Sequence, residues 1–402
     1  MKRLLVLATI AAVAAIPSAQ AGPAKDPGVT ATQVVLGGTA PLSGPGVAYA
    51  PVARGADAYF RYVNSRGGVH GRKIRYVYKD DAYDPAQTVQ KTRELVQQDQ
   101  VFAIFNSVGT EHNLAIRPFL NQTKTPQLFV GTGASSIGDA YKRFPWTMGY
   151  LTSFRGEGAI YGRHIAKTMP RARIAVLHEN SDYGRDLLAG LRKGLGAKAN
   201  RIVDVETYEV TDSDQNAQMA KLKASGANTL MLFALPKQTI QAFIAADRLG
   251  WRPQVFVNAV SVDPFVMNVA RSNTNNRTTQ GAITTAFLKD PTDPALAKDP
   301  GVRLYKRLMR KYLPGHEDEV AHIYGMAAAH TMVDALRKAG KQLSRNSLID
   351  AATHLDERDN PFLVSGVVVK TSPRDYYPIS RTRLLRYDRG RWKQFGGFLA
   401  VR

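Results

Sequence analysis

Neutral hydrogen-bond donors recur at three turns in the first half of the chain. Leu42-Ser43-Gly44, Asn106-Ser107-Val108-Gly109-Thr110 and Thr132-Gly133-Ala134-Ser135-Ser136 each follow a short apolar run. Small residues let backbone N–H groups approach an anion, and a helix that starts there adds its dipole. Together such turns make a site of carboxylate or phosphate size; the plain alternative is that they are turn residues only. Catalytic patterns are missing. GTGASS (131–136) approaches the dinucleotide fingerprint, but Ser136 stands at its third glycine, and no acid stands about twenty residues on to hold a ribose. There is no G-x-S-x-G elbow, H-E-x-x-H pair or G-x-x-x-x-G-K-[ST] loop. The 8 histidines lack metal-ligand spacing. His178 reads as packed or rim-exposed rather than as a general base. His112, just after Ser107, is the nearest base for a rival reading as a secreted α/β enzyme acting on a small acid.

The elements that hold these turns alternate. Apolar runs at 34–38, 73–78, 101–105 and 127–130 predict strands, with helices over 51–66, 85–98 and a third ending near Lys124. The stripe Val52, Ala56, Tyr59, Phe60 and Val63 has the helical period. Asp84-Pro85 supplies an N-cap followed by proline at the first helical position. A second series places strands at 173–178, 202–208, 229–234 and 254–258, with helices near 154–168, 181–195, 214–225 and 237–249. Helices near 302–312, 320–339 and 344–353 follow, then strands near 364–370 and 382–387; 271–280 reads as an exposed loop. Continuous apolar strands between helices predict two parallel sheets covered on both faces. In such sheets the ligand crevice lies beyond the carboxyl ends of the strands, where the three turns fall.

Composition agrees. Of 402 residues 44% are hydrophobic and 22% charged, with no cysteine, which excludes a disordered chain or a disulfide-stapled miniature. One core stops growing near roughly 250–300 residues, so two domains are expected. Residues 1–21 form an export leader: Lys2 and Arg3, the apolar stretch 4–16, Pro17, and the small-residue cleavage motif AQA at 19–21. Its apolar stretch is short for the ~20 residues of a membrane span. Cleavage after Ala21 predicts an exported, periplasmic product without a lipid anchor. The formal net charge is +21, and Arg303, Lys306, Arg307, Arg310 and Lys311 share one helical face. A solvated face is the expected reading; an anionic membrane or acidic partner is the other. No nucleic-acid recognition fold is visible.

The stretches APLSGPGVAYA (40–50), YVNSRGGVHGRKI (62–74), KDDAYDPAQTV (79–89) and HENSDYGRDLLAGLRKGL (178–195) resemble the periplasmic solute-binding proteins of branched-chain amino acid–type ABC transporters, across essentially the whole mature chain. The resemblance implies two Rossmann-like α/β lobes joined by three crossovers near 147–150, 281–286 and 363–367. Lobe one is then 30–147 plus 285–363, and lobe two 148–282 plus 366–402. It implies a monomer without cofactor or catalysis, closing on a small ligand and docking on an inner-membrane ABC permease; a periplasmic sensor fits the same pattern. Matched residue by residue, the carboxylate turn falls on Ser107 to Thr110, with Gly109 where a serine is usual. The second turn falls on Thr132, Gly133 and Ala134, with Ala134 where a threonine is usual. Tyr49 and Tyr183 fall at aromatic contacts. Leu235 replaces a tyrosine, and NAVSV (258–262) replaces the glutamate that meets a ligand ammonium, leaving Asp263, or Glu319, as the nearest acid. These departures favour an organic acid, aromatic for instance, over leucine or valine.

Overall fold

The computed structural model describes residues 26–275, 277–316 and 319–401. The expected export leader and its expected cleavage point after Ala21 lie outside the described residues. The first lobe opens with β1 (Gln33–Ala40), α1 (Ala50–Ser65), β2 (Lys73–Asp80), α2 (Pro85–Gln97) and β3 (Ala103–Phe105). It continues through α3 (Thr110–Gln122), β4 (Gln127–Val130), α4 (Ser135–Gly138) and β5 (Thr147–Gly149). Its five strands form one parallel sheet in the order β2-β1-β3-β4-β5. The expected α1 stripe is its buried face, and Asp84 caps α2 by accepting the Ala86 N–H at 2.7 Å, a contact worth about 1 kcal/mol.

The second lobe follows with α5 (Phe154–Thr168), β6 (Ile174–Glu179), α6 (Asp182–Leu195), β7 (Ile202–Tyr208) and α7 (Asn216–Ala224). Then come β8 (Thr229–Phe233), α8 (Pro236–Arg248), β9 (Gln254–Val257), α9 (Pro264–Ser272) and β10 (Ile283–Ala286). The chain returns to lobe one for α10 (Pro300–Tyr312), α11 (His322–Lys338), α12 (Arg345–Ala352) and the small ribbon β11 (Asp356–Glu357) and β12 (Val369–Lys370). It ends in lobe two with β13 (Arg381–Asp388) and β14 (Arg391–Ala400). The second sheet has the order β14-β13-β10-β9-β8-β6-β7.

Several expectations need correction. The second sheet is mixed: β13 runs antiparallel to β10, and β14 antiparallel to β13. The strand expected at 101–105 starts only at Ala103, because the carbonyls of Val101 and Phe102 accept the Arg345 guanidinium at 3.0 and 2.9 Å instead of a ladder partner. Of the strand expected at 364–370 only Val369–Lys370 forms. The run 271–280 begins inside α9, whose Asp263-Pro264 start repeats the Asp84-Pro85 signal. Within 366–402, Val367, Val369, Tyr376 and Ile379 pack with the lobe-one core. The chain passes between lobes at Tyr150, whose hydroxyl meets the Ala327 carbonyl at 3.1 Å. It passes again at two segments joined side by side, where the Val364 N–H donates to the Phe287 carbonyl at 2.8 Å. Among the described residues no helix is long and apolar enough to cross a membrane.

Candidate functional site

Between the lobes, beyond the carboxyl ends of β3, β6 and β8, lies a cleft whose empty space, counted to its open mouth, is about 1250 Å³. Lobe one supplies Tyr49, Tyr83, Val108, Gly109 and Thr110; lobe two supplies Phe154, Glu179, Tyr183, Leu235 and Val260. The cleft runs on past Asp263 to Lys289, Asp290 and Tyr324 near the hinge.

Each wall follows from local chemistry. Gly109 caps α3 at φ 108 and ψ 145. A Cβ there would sit 2.2 Å from His112 Nδ1, so the turn needs glycine for conformation and for space. Asn113 steadies it, donating to the carbonyls of Ser107 and Gly109 at 2.8 and 2.7 Å. Tyr83 reaches the cleft from a left-handed residue (φ 56) whose N–H donates to Asp81 Oδ1 at 3.1 Å. On lobe two, Tyr183 is the second residue of α6 and 4% exposed, and its ring stands edge-on to Phe154 at 5.0 Å. The Tyr183 hydroxyl is buried and has no hydrogen-bond partner among the described residues.

Of the residues expected from sequence, Tyr49, Gly109, Thr110, Tyr183 and Asp263 line the cleft. Ser107, Thr132, Gly133 and Ala134 stand behind it. The Ser107 hydroxyl accepts the Thr39 N–H at 3.1 Å. Thr132 Oγ1 shares a 2.7 Å hydrogen bond with Thr110 Oγ1 and accepts the Ala134 N–H at 3.1 Å. A Cβ on Gly133 would come 2.0 Å from the Thr152 carbonyl oxygen, so that turn faces the hinge backbone. Ala134 packs in the lobe-two core. His112 is buried with its ring 4.2 Å from that of Tyr83. His178 is buried too, its Nδ1 bonded at 2.8 Å to the Glu179 carbonyl. Glu319 pairs with His316 at 2.6 Å and Arg54 at 3.6 Å rather than lining the cleft.

Sequence reasoning missed Glu179, Tyr83 and Phe154, which line the cleft. Glu179 ends β6 just before α6, the strand-end position where a crevice residue is expected. Burial pushes its carboxyl up to about 7, with Glu111 and Glu209 adding to the rise against the hydroxyls of Ser181 and Tyr208. Tyr208, at the end of β7, stands behind the cleft wall: its hydroxyl accepts the Leu235 N–H at 2.9 Å and reaches Glu179 Oε2 at 3.4 Å. Asp263 caps α9, accepting the Phe265 N–H at 2.8 Å, and burial raises it to about 6.

Direct bonds cross between the lobes. Tyr49 donates its hydroxyl to the Val260 carbonyl at 3.3 Å, and the Asp182 N–H donates to Glu111 Oε1 at 2.9 Å. Asp186 on α6 accepts the N–H and hydroxyl of Ser135 on α4 at 2.5 and 2.8 Å while holding Arg155 Nε at 2.7 Å. The lobes are therefore drawn together over the cleft. Among the described residues no group of three His, Asp or Glu side chains is placed to hold a metal ion.

Comparison with known proteins gives a consistent picture. The family model described as "Periplasmic binding protein" matches residues 33–390. The Leu/Ile/Val-binding protein homolog 1 of Brucella abortus (strain 2308) is 26% identical over 318 residues, 76% of this chain and 79% of that protein. A branched-chain amino acid ABC transporter structure from Thermus thermophilus with bound valine superposes with TM-score 0.81 at 19% identity, covering 92% of this chain and 97% of that one. A solute-binding protein of an ABC transporter from Rhodopseudomonas palustris BisB5, in complex with 3,4-dihydroxybenzoic acid, gives TM-score 0.75 at 19% identity, covering 92% and 98%.

Proposed function

Because the chain belongs to the periplasmic binding protein family, we propose that it is the solute-capturing subunit of an ABC importer, handing a small ligand to an inner-membrane permease without chemical change. The observation that carries this reading is the cleft walled by both lobes at their strand ends, with Tyr49, Tyr83 and Tyr183 among its lining residues. A ligand that touches both walls in the closed form and one wall in the open form stabilises closure by that difference. The N-terminus of α3, with Gly109 and Thr110 at the surface of the cleft, suits a carboxylate. Tyr49, Tyr83 and Phe154 suit a ring or branched chain. Amino acids and aromatic or other organic acids both satisfy that description, as do the valine and dihydroxybenzoate bound by the two structural relatives. The lobes are proposed to divide as the sequence suggests, 30–147 plus 285–363 against 148–282 plus 366–402, apart from the 367–379 segment packed on lobe one.

The test combines calorimetry with small-angle scattering on the mature protein. A bound solute should reduce the radius of gyration and be recovered unchanged. Steady conversion into product would overturn the reading in favour of an enzyme. Tight binding without compaction would overturn the hinge mechanism.

A further inference from the structure

The cleft is larger than a small solute needs, even with the lobes together. They already bond directly through Tyr49 and Val260, Glu111 and Asp182, and Ser135 and Asp186. About 1250 Å³ of empty space, open mouth included, still lies between them. Pockets of roughly 300–1,000 Å³ hold drug-sized ligands. If each non-hydrogen atom takes a liquid water's share of roughly 30 Å³, leucine occupies only about 270 Å³. Bringing the lobes together therefore does not shrink the space to one amino acid.

The part of the cleft that runs toward the hinge is apolar and draws on both lobes. Leu151 follows Tyr150, where the chain first passes between lobes, and Leu288 follows Phe287, where it passes again. Val260 and Val262 come from the loop between β9 and α9, and Val320 and Ile323 from the start of α11. Leu151, Val260, Val262 and Leu288 are half-buried, so each keeps uncovered surface in the lining. The charged groups of this part are committed to local structure. Asp263 caps α9. Asp290 accepts the N–H and hydroxyl of Thr292 at 2.8 and 2.6 Å. Lys289 donates to Asp299 at 2.8 Å and to the Pro361 carbonyl at 2.9 Å. The polar start of α3, at Gly109 and Thr110, belongs to the other part of the same cleft. The space thus has one end for a small polar head and a long apolar remainder.

Resting on the solute-binding reading above, we propose that the hinge-ward part of the cleft is a chamber for an apolar tail. The captured solute is then an amphipathic monocarboxylate with a carbon chain longer than that of leucine or valine. Its head sits at the start of α3, and its tail lies among Leu151, Val262, Leu288 and Ile323. A second charge on the tail would be buried without a partner, beside Asp263 and Asp290, so dicarboxylates are excluded.

Calorimetry on delipidated mature protein tests this with butanoate, hexanoate, octanoate and decanoate, each below its micelle concentration. Sebacate is the two-headed match to decanoate, and leucine is the short amino acid. Burial pushes the Glu179 carboxyl up to about 7, so titration at pH 6 keeps it largely protonated beside the head. Affinity should rise about 3- to 4-fold per added methylene, the worth of burying one CH₂, through decanoate. Sebacate should bind at least about 100-fold more weakly than decanoate. Leu288→Trp and, separately, Val262→Phe put bulk into the chamber, and each should lower the decanoate-to-butanoate affinity ratio about 10-fold or more. Thermal melts identify which variants fold, and either one that does decides the point. Affinity that peaks at hexanoate or below overturns the proposal, as do sebacate binding equal to decanoate, a ratio unmoved in a folded variant, and silence from every monocarboxylate. Compaction on leucine with no gain along the chain series would sink the chamber while leaving the solute-binding reading intact; turnover of any probe would sink that reading instead.

Discussion

Glu179→Gln should make the empty protein more stable at neutral pH. The Glu179 carboxyl rises from 4.5 to about 7 on folding, first through burial and then through Glu111 and Glu209. The folded state therefore holds the proton more tightly than the unfolded chain. Stability from this group is fully present below about pH 4.5 and is lost as pH rises through about 7. At 1.36 kcal/mol per unit, the loss is about 3 kcal/mol. Glutamine keeps an acceptor for the Tyr208 hydroxyl but does not ionise. With an unfolding entropy of about 2.1 cal/mol/K per residue, a chain of this length changes Tm by about 4 °C for that energy. Thermal melts of unliganded wild type and variant should coincide near pH 4.5 and separate by about 4 °C at pH 8, the variant melting higher. Parallel curves across that range would refute the reasoning, because they would mean that Glu179 is solvated or already paired with a cation.

Other outcomes follow from single contacts. Asp186→Ala removes the acceptor shared by Ser135 and Arg155; it should cost the closed form about 2 kcal/mol and weaken ligand binding roughly 30-fold. Scattering should then show a larger radius at a given ligand concentration, and unchanged affinity would count against this clasp. Gly109→Ala forces a side chain into a φ of 108 and against His112, so urea melts should show a loss of about 1–3 kcal/mol; a neutral result means that the turn is built differently. Mass spectrometry of the exported protein should find its N-terminus at Gly22; an intact Met1 held in the membrane would overturn the cleavable leader.

Local residue chemistry sets the alternation of strands and helices and the ends that carry explicit signals. Asp84-Pro85 marks a helix start by local backbone chemistry, and the α1 stripe marks a buried face by its period; neither needs a distant partner. Gly109 was legible as a turn for the same reason. The tertiary structure decided what each of these groups faces. Ser107 and Thr132 have the composition of an anion site, yet their hydroxyls bond to the Thr39 N–H of β1 and to the Thr110 hydroxyl at the start of α3. Strand ends are separated by whole helices in sequence, so which donor meets the cleft and which meets its neighbour depends on sheet order. Tyr208 and Leu235 show the converse: groups far apart in sequence bond to each other across a strand end, because β7 and β8 flank β6 in the sheet. Glu179 was visible in HENSDYG as one more acid. That it is buried, bonded to the Tyr208 hydroxyl and without a counter-ion among the described residues is a property of the packed chain, since burial and the lack of a counter-ion arise only when distant elements pack around it.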